Sequence, residues 1–77
     1  MDAKTAVITA IKAQCEVDVS ETAALKDFLD SLTLVELAIK IADLTNSNTL
    51  FERHDFFVAQ TVQDLIDATD KDLRGEA

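Results

Sequence analysis

The sequence predicts an all-α fold: a small four-helix bundle with three main helices and one short one. Three observations carry that prediction. The chain has no proline and a single glycine, Gly75, and it lacks the Asn-Gly and Asp-Gly dipeptides that tight β-hairpins use. Its apolar residues recur at helical rather than strand spacing. With 77 residues and one cysteine, it must build one core without a disulfide, which chains of this size usually do by packing helices closely. One domain over residues 1–77 is expected.

The first helix is expected over residues 1–15. Val7, Ala10, Ile11 and Cys15 fall on one helical face, and Asp2 can cap the start. Residues 16–30 read as a long connection, a length that is often functional in a small domain. Within it, Val17-Asp18-Val19 alternates like extended chain, and Ala23 to Lys26 suits one or two helical turns. Leu25, Phe28 and Leu29 are too apolar for a free loop and should be pinned to the bundle. The second helix is expected over residues 31–45, capped by Asp30 or Ser31, with Leu34, Leu37, Ala38, Ile41 and Leu44 as its core stripe. Leu32, Val35, Ile39 and Ala42 lie off that stripe. A helix apolar beyond its core stripe in so small a domain points to a partner surface. Asn46-Ser47-Asn48 ends this helix. Residues 50–59, with Phe51, Phe56 and Phe57, should form a short third helix or turn that plugs the core. The last helix is expected over residues 61–70, with Thr61 and Asp64 as a capping box and Val62, Leu65, Ile66 and Thr69 facing inwards. Residues 71–77 read as a frayed tail.

Composition narrows the function. Fifteen acidic residues against seven basic ones give a net charge of −8, which argues against nucleic-acid binding. No apolar run is long enough for a membrane span, and the first residues lack the pattern of a signal peptide, so a cytoplasmic monomer is expected. One histidine and one cysteine offer no zinc cluster, and no metal site is expected. Cys15 reads as a small core residue and His54 as a surface residue beside Asp55. Ser31, His54 and an aspartate can be assembled into a triad only on paper, because no nucleophile elbow or oxyanion loop accompanies them. Asp70 to Gly75 begins like a calcium loop, but Arg74 stands where an oxygen ligand is needed. No catalytic residue is expected.

Asp30-Ser31-Leu32 stands out at the mouth of the second helix. Asp or Ser before an apolar helix is an ordinary cap. A serine hydroxyl there is also exposed, at the positive end of the helix dipole, where a phosphate ester would be well placed. Beside it lie the apolar residues Leu32, Val35 and Ile39 and the acids Glu36 and Asp43.

At these residues the chain resembles the acyl carrier protein family, which includes peptidyl, aryl and D-alanyl carriers. Asp30-Ser31-Leu32-Thr33-Leu34-Val35-Glu36-Leu37 is similar to the family's Asp-Ser-Leu motif and the Val-Glu-Leu of its second helix. Thr61-Val62-Gln63-Asp64-Leu65-Ile66-Asp67 is similar to the start of its last helix. The resemblance implies an acyl-carrier-protein-like arrangement of the four helices. It implies that Ser31 carries a 4′-phosphopantetheine arm, transferred from coenzyme A by a phosphopantetheinyl transferase, and that Asp30 helps organise this modification. It implies that the arm's thiol, not Cys15, holds acyl or aminoacyl groups as thioesters. Leu32, Val35, Glu36, Ile39 and Asp43 would then form the docking face for a loading ligase and for downstream acyltransferase or synthase enzymes. The protein would be a tethered substrate rather than an enzyme. The family's glycine before Asp-Ser is replaced by Phe28-Leu29, and Lys40 interrupts the acidic face. These departures point to a specialised carrier, in polyketide, nonribosomal peptide or aminoacyl chemistry, rather than to fatty-acid synthesis. The competing expectation is a small acidic helical adaptor or enzyme subunit that uses the same face without a prosthetic group.

Overall fold

The computed structural model describes residues 1–75. It is an all-α molecule, with the element order α1 (Ala3–Cys15), α2 (Ser31–Thr45), α3 (His54–Phe57) and α4 (Val62–Leu73). Short 3-10 turns occupy Leu25–Asp27 and Leu50–Glu52. No helix among the described residues is long and apolar enough to cross a membrane.

The helix α1 packs against both α2 and α4, and α3 packs on α4. The side of α1 that makes these contacts is built from Ala3, Ala6, Val7, Ala10 and Ile11, all buried. Three alanines let neighbouring backbones approach, and Val7 and Ile11 fill the space between them. Leu25 of the connection, Leu37, Ala38 and Ile41 of α2, Leu50, Phe56, and Val62, Leu65, Ile66 and Ala68 complete the core. Leu34 and Leu44 of the expected core stripe are half-buried and pack against its edge.

Each of the three long helices starts on a side-chain cap. Asp2 Oδ1 accepts the Thr5 N–H at 2.8 Å, and Asp30 Oδ1 accepts the Thr33 N–H at 2.8 Å. Thr61 and Asp64 form a reciprocal capping box at α4. The ends of α1 and α2 use left-handed residues in place of glycine. Glu16, with φ 57°, ends α1 through a bond from its N–H to the Lys12 carbonyl. Asn46, also with φ 57°, ends α2, and the Ser47 N–H reaches back to the Ala42 carbonyl at 2.9 Å.

The long connection is tied down along its length. Val17 and Val19 are half-buried and Asp18 is exposed, so the alternating pattern becomes an alternation of inward and outward side chains. Leu25 N–H donates to the Gln60 carbonyl, Val62 N–H to Ala23 and Gln63 N–H to Glu21, at 2.8–3.0 Å. These bonds lash the connection to the chain entering α4. The helical turn in this region falls at Leu25–Asp27, slightly later than the Ala23 to Lys26 expectation.

Two expected boundaries require correction. Residues 50–59 do not form one helix: Arg53 is extended between the 3-10 turn and α3, and its guanidinium folds back on Asp55 at 3.0–3.1 Å, which holds the corner. Only Phe56 of the three phenylalanines here plugs the core; Phe57 is half-buried and Phe51 is 48% exposed. Nor do residues 71–73 fray. The α4 helix continues to Leu73 because the hydroxyls of Ser47 and Thr49 both donate to the Asp72 carboxylate, tying the last turn to the chain after α2. Gly75, at φ 74°, lies just beyond. Residues 76–77 of the expected tail lie outside the described residues.

Thr69 faces inwards at 1% exposure, and its hydroxyl has no hydrogen-bond partner among the described residues. An unpaired buried hydroxyl is costly, whereas valine has the same branched shape without it. Thr69→Val should therefore stabilise the protein by about 1 kcal/mol, read as a rise in melting temperature of about 4–8 °C. Leu37→Ala should destabilise it by about 2–5 kcal/mol in the same denaturation experiment.

Candidate functional site

Helix α2 begins where it does because Asp30 adopts an extended backbone, φ −111° and ψ −177°, and turns its carboxylate onto the first helical turn. The Thr33 backbone N–H, followed by the Thr33 side chain, holds the Asp30 carboxyl below its ordinary value of 3.8. Asp30 is thus an engaged anion rather than a free base. Ser31 occupies the first helical position and is exposed. Among the described residues no hydrogen bond engages its hydroxyl.

Successive residues of a helix turn by about 100°, so Leu32, Val35, Glu36, Ile39 and Asp43 share one side of α2. That side is opposite the buried Leu37, Ala38 and Ile41. All five residues are exposed, with Leu32 at 69%, Val35 at 40% and Ile39 at 56%. The face therefore runs from the exposed serine down the helix as an apolar strip flanked by carboxylates. Lys40 stands at its edge, half-buried. Glu36 is not free: its carboxylate accepts the Gln14 side-chain amide at 2.6 Å, so α1 orients the central acid of the face. Ala42 lies off the face and packs against the core.

A hollow of about 230 Å³ opens beside Ser31. It is shallow and mixed in character: Leu25, Leu29, Leu34 and Ala59 line one part, and Lys26, Asp30 and Ser31 form a polar wall. Sequence pattern alone does not single out Lys26. Its position depends on the 3-10 turn and on the bonds to residues 60–63, for which no local pattern gives a signal. Gln14 escapes sequence reasoning for the same reason, since its role depends on how α1 crosses α2.

A larger hollow, about 700 Å³, lies elsewhere on the surface, lined by Thr49, Glu52, Arg53, His54, Asp55, Asp72 and Gly75. The Arg53 guanidinium in its wall is already held by Asp55. His54 lines this hollow and Ser31 the smaller one, so the structure does not bring them together as a pair. Asp70 and Asp72 lie within α4 rather than on a loop, and among the described residues no group of three or more His, Cys, Asp or Glu side chains is placed to hold a metal ion. Cys15 is half-buried, and burial pushes its thiol up, away from the reactive thiolate.

No family model, curated protein or solved structure matches this chain.

The cap gives a pH signature. A carboxyl whose folded value lies below its unfolded value binds more protons in the unfolded chain, so its contribution to stability is present above the ordinary carboxylate value and is lost as pH falls through the folded one. Asp30 is in this position. Asparagine also caps helices but does not titrate here. Urea denaturation at a series of pH values should show that Asp30→Asn loses less stability than the wild type between neutral pH and the region below about pH 4. Parallel curves for the two proteins would show that the Asp30 cap does not titrate with folding.

Proposed function

We propose that this protein is an acyl carrier whose Ser31 bears a 4′-phosphopantetheine arm. The observation that carries the reading is the exposed, unengaged Ser31 hydroxyl at the capped start of α2, continuous with the exposed face of Leu32, Val35, Glu36, Ile39 and Asp43. The resemblance of Asp30-Ser31-Leu32 and its helix to carrier proteins supports the same reading.

The residues present fit the group. Ser31 is open to a transferase, and the positive end of α2 suits a phosphodiester anion. In the loading reaction the Ser31 Oγ attacks the β-phosphorus of coenzyme A. A bond forms from Oγ to phosphorus, the pyrophosphate linkage breaks, adenosine 3′,5′-bisphosphate leaves, and the serine proton passes to a base on the transferase. When bound, the arm supplies a terminal thiol that holds acyl or aminoacyl groups as thioesters. Asp30 keeps the helix start in place and the serine presented outwards. Leu32, Val35 and Ile39 give partner enzymes a small apolar contact, while Glu36 and Asp43 steer cationic surfaces toward Ser31. A tethered cargo meets each docked enzyme at high effective concentration. The departures from the family pattern favour a specialised pathway, with a loading ligase and an acyltransferase or synthase as partners, and a cytoplasmic monomer fits that work.

Intact mass tests the reading directly. Incubation with coenzyme A and a broad-specificity phosphopantetheinyl transferase should add one arm to the wild type and none to a folded Ser31→Ala protein. A folded wild-type protein that gains nothing would favour the adaptor alternative, in which the α2 face binds one stable partner. Glu36→Lys should slow loading by about threefold to tenfold at low ionic strength, with the difference shrinking as salt screens the steering field. Stopped-time mass spectrometry across a salt series measures this.

A further inference from the structure

We infer that Lys26 is the counter-ion for the phosphodiester at Ser31, and that the aliphatic part of the hollow they share takes the branched segment of the arm nearest that phosphate. This rests on the carrier reading and adds a resting place for the arm on the protein's own surface.

Lys26 and Ser31 line the same hollow. The protein carries a net charge of −8, and Asp27 and Asp30 adjoin this site in the chain, so a further anion on Ser31 enters a locally negative field. Lys4, Lys12, Arg53 and Arg74 are already paired, with Glu21, Asp18, Asp55 and Asp70 respectively. Lys26, Lys40 and Lys71 make no ion pair among the described residues, and of these three only Lys26 lines the hollow beside Ser31. Lys26 does not neutralise Asp30, whose carboxylate is directed at the Thr33 amide. An exposed lysine on a flexible stem, unpaired amid acids and sharing a hollow with the serine, is placed to reach an anion carried there.

The aliphatic part of the hollow matches the next portion of the arm. Phosphopantetheine has a quaternary carbon bearing two methyl groups one methylene away from its phosphate oxygen. Leu25, Leu29, Leu34 and Ala59 form a lining for such a group. Leu25 and Ala59 come from different segments, held together by the Leu25–Gln60 backbone bond. The backbone on the two sides of the hollow is thus held in register by the fold.

The test compares apo and holo proteins, with loading first verified by intact mass, using amide NMR spectra and the phosphorus resonance of the arm. In the wild type, attaching the arm should shift the amides of Leu25, Lys26 and Ala59 as well as those around Ser31. Lys26→Gln should reduce the distant shifts by about two- to fivefold, the scale of one exposed ion pair, and Lys26→Arg should restore them. High salt should act on the wild-type holo protein as Lys26→Gln does. This salt series carries the test alone if the variant is poorly loaded. Shifts confined to the neighbours of Ser31, or distant shifts and a phosphorus resonance indifferent to salt and to residue 26, would overturn the inference while leaving the carrier reading intact. Absence of the arm mass on the wild type would overturn both.

Discussion

The rest of the structure depends on how closely α1 approaches its two neighbours. Ala3, Ala6 and Ala10 remove bulk from the side of α1 that meets α2 and α4, and Val7 and Ile11 lock into the space that remains. A helix that serves two partners at once sets the rotation of both. With Leu37, Ala38 and Ile41 turned toward α1, the opposite side of α2 has no element among the described residues to cover it. The exposure of Leu32, Val35 and Ile39 is thus a consequence of the core rather than an independent feature. It comes from giving α2 a single packed side in a molecule with a radius of gyration of only 10.8 Å.

Charge is arranged on the same plan. Aspartates at positions 2, 30 and 64 are spent on helix starts, where backbone amides and hydroxyls hold their carboxyls below the ordinary range. Asp72 is occupied by two hydroxyls at the far end of α4. The acidity is therefore not a uniform coat. Part of it builds the fold, and part, at Glu36 and Asp43, is left on the surface of α2, with Glu36 steadied by Gln14.

Local pattern makes much of this legible. The Asp30 cap, the core side of α2, the capping box of Thr61 and Asp64 and the inward face of α4 all rest on spacing along one helix, which the sequence displays directly. So does the grouping of Leu32, Val35, Glu36, Ile39 and Asp43. The features that escape it rest on contacts between distant segments. Sequence pattern ends α4 too early because Asp72 finds its partners at Ser47 and Thr49. It merges the segment around Phe51 into one unit because the corner at Arg53 depends on a side-chain bond rather than on a turn dipeptide. The end of α1 carries no glycine or asparagine, and Glu16 takes the left-handed conformation that either would have signalled. Lys26 lines the hollow beside Ser31 only because the connection is laid against residues 60–63.

That last arrangement sets an order in time. The chain just ahead of Ser31 is held by main-chain bonds to residues that precede and begin α4. Closing so long a loop is entropically costly and comes after the formation of local helix. Helix α2 takes its cap from the adjacent residue, whereas the wall beside Ser31 requires the final third of the chain. On the carrier proposal, a partner that grips the connection as well as the capped helix would read the completed fold, whereas one that touches the helix alone would not.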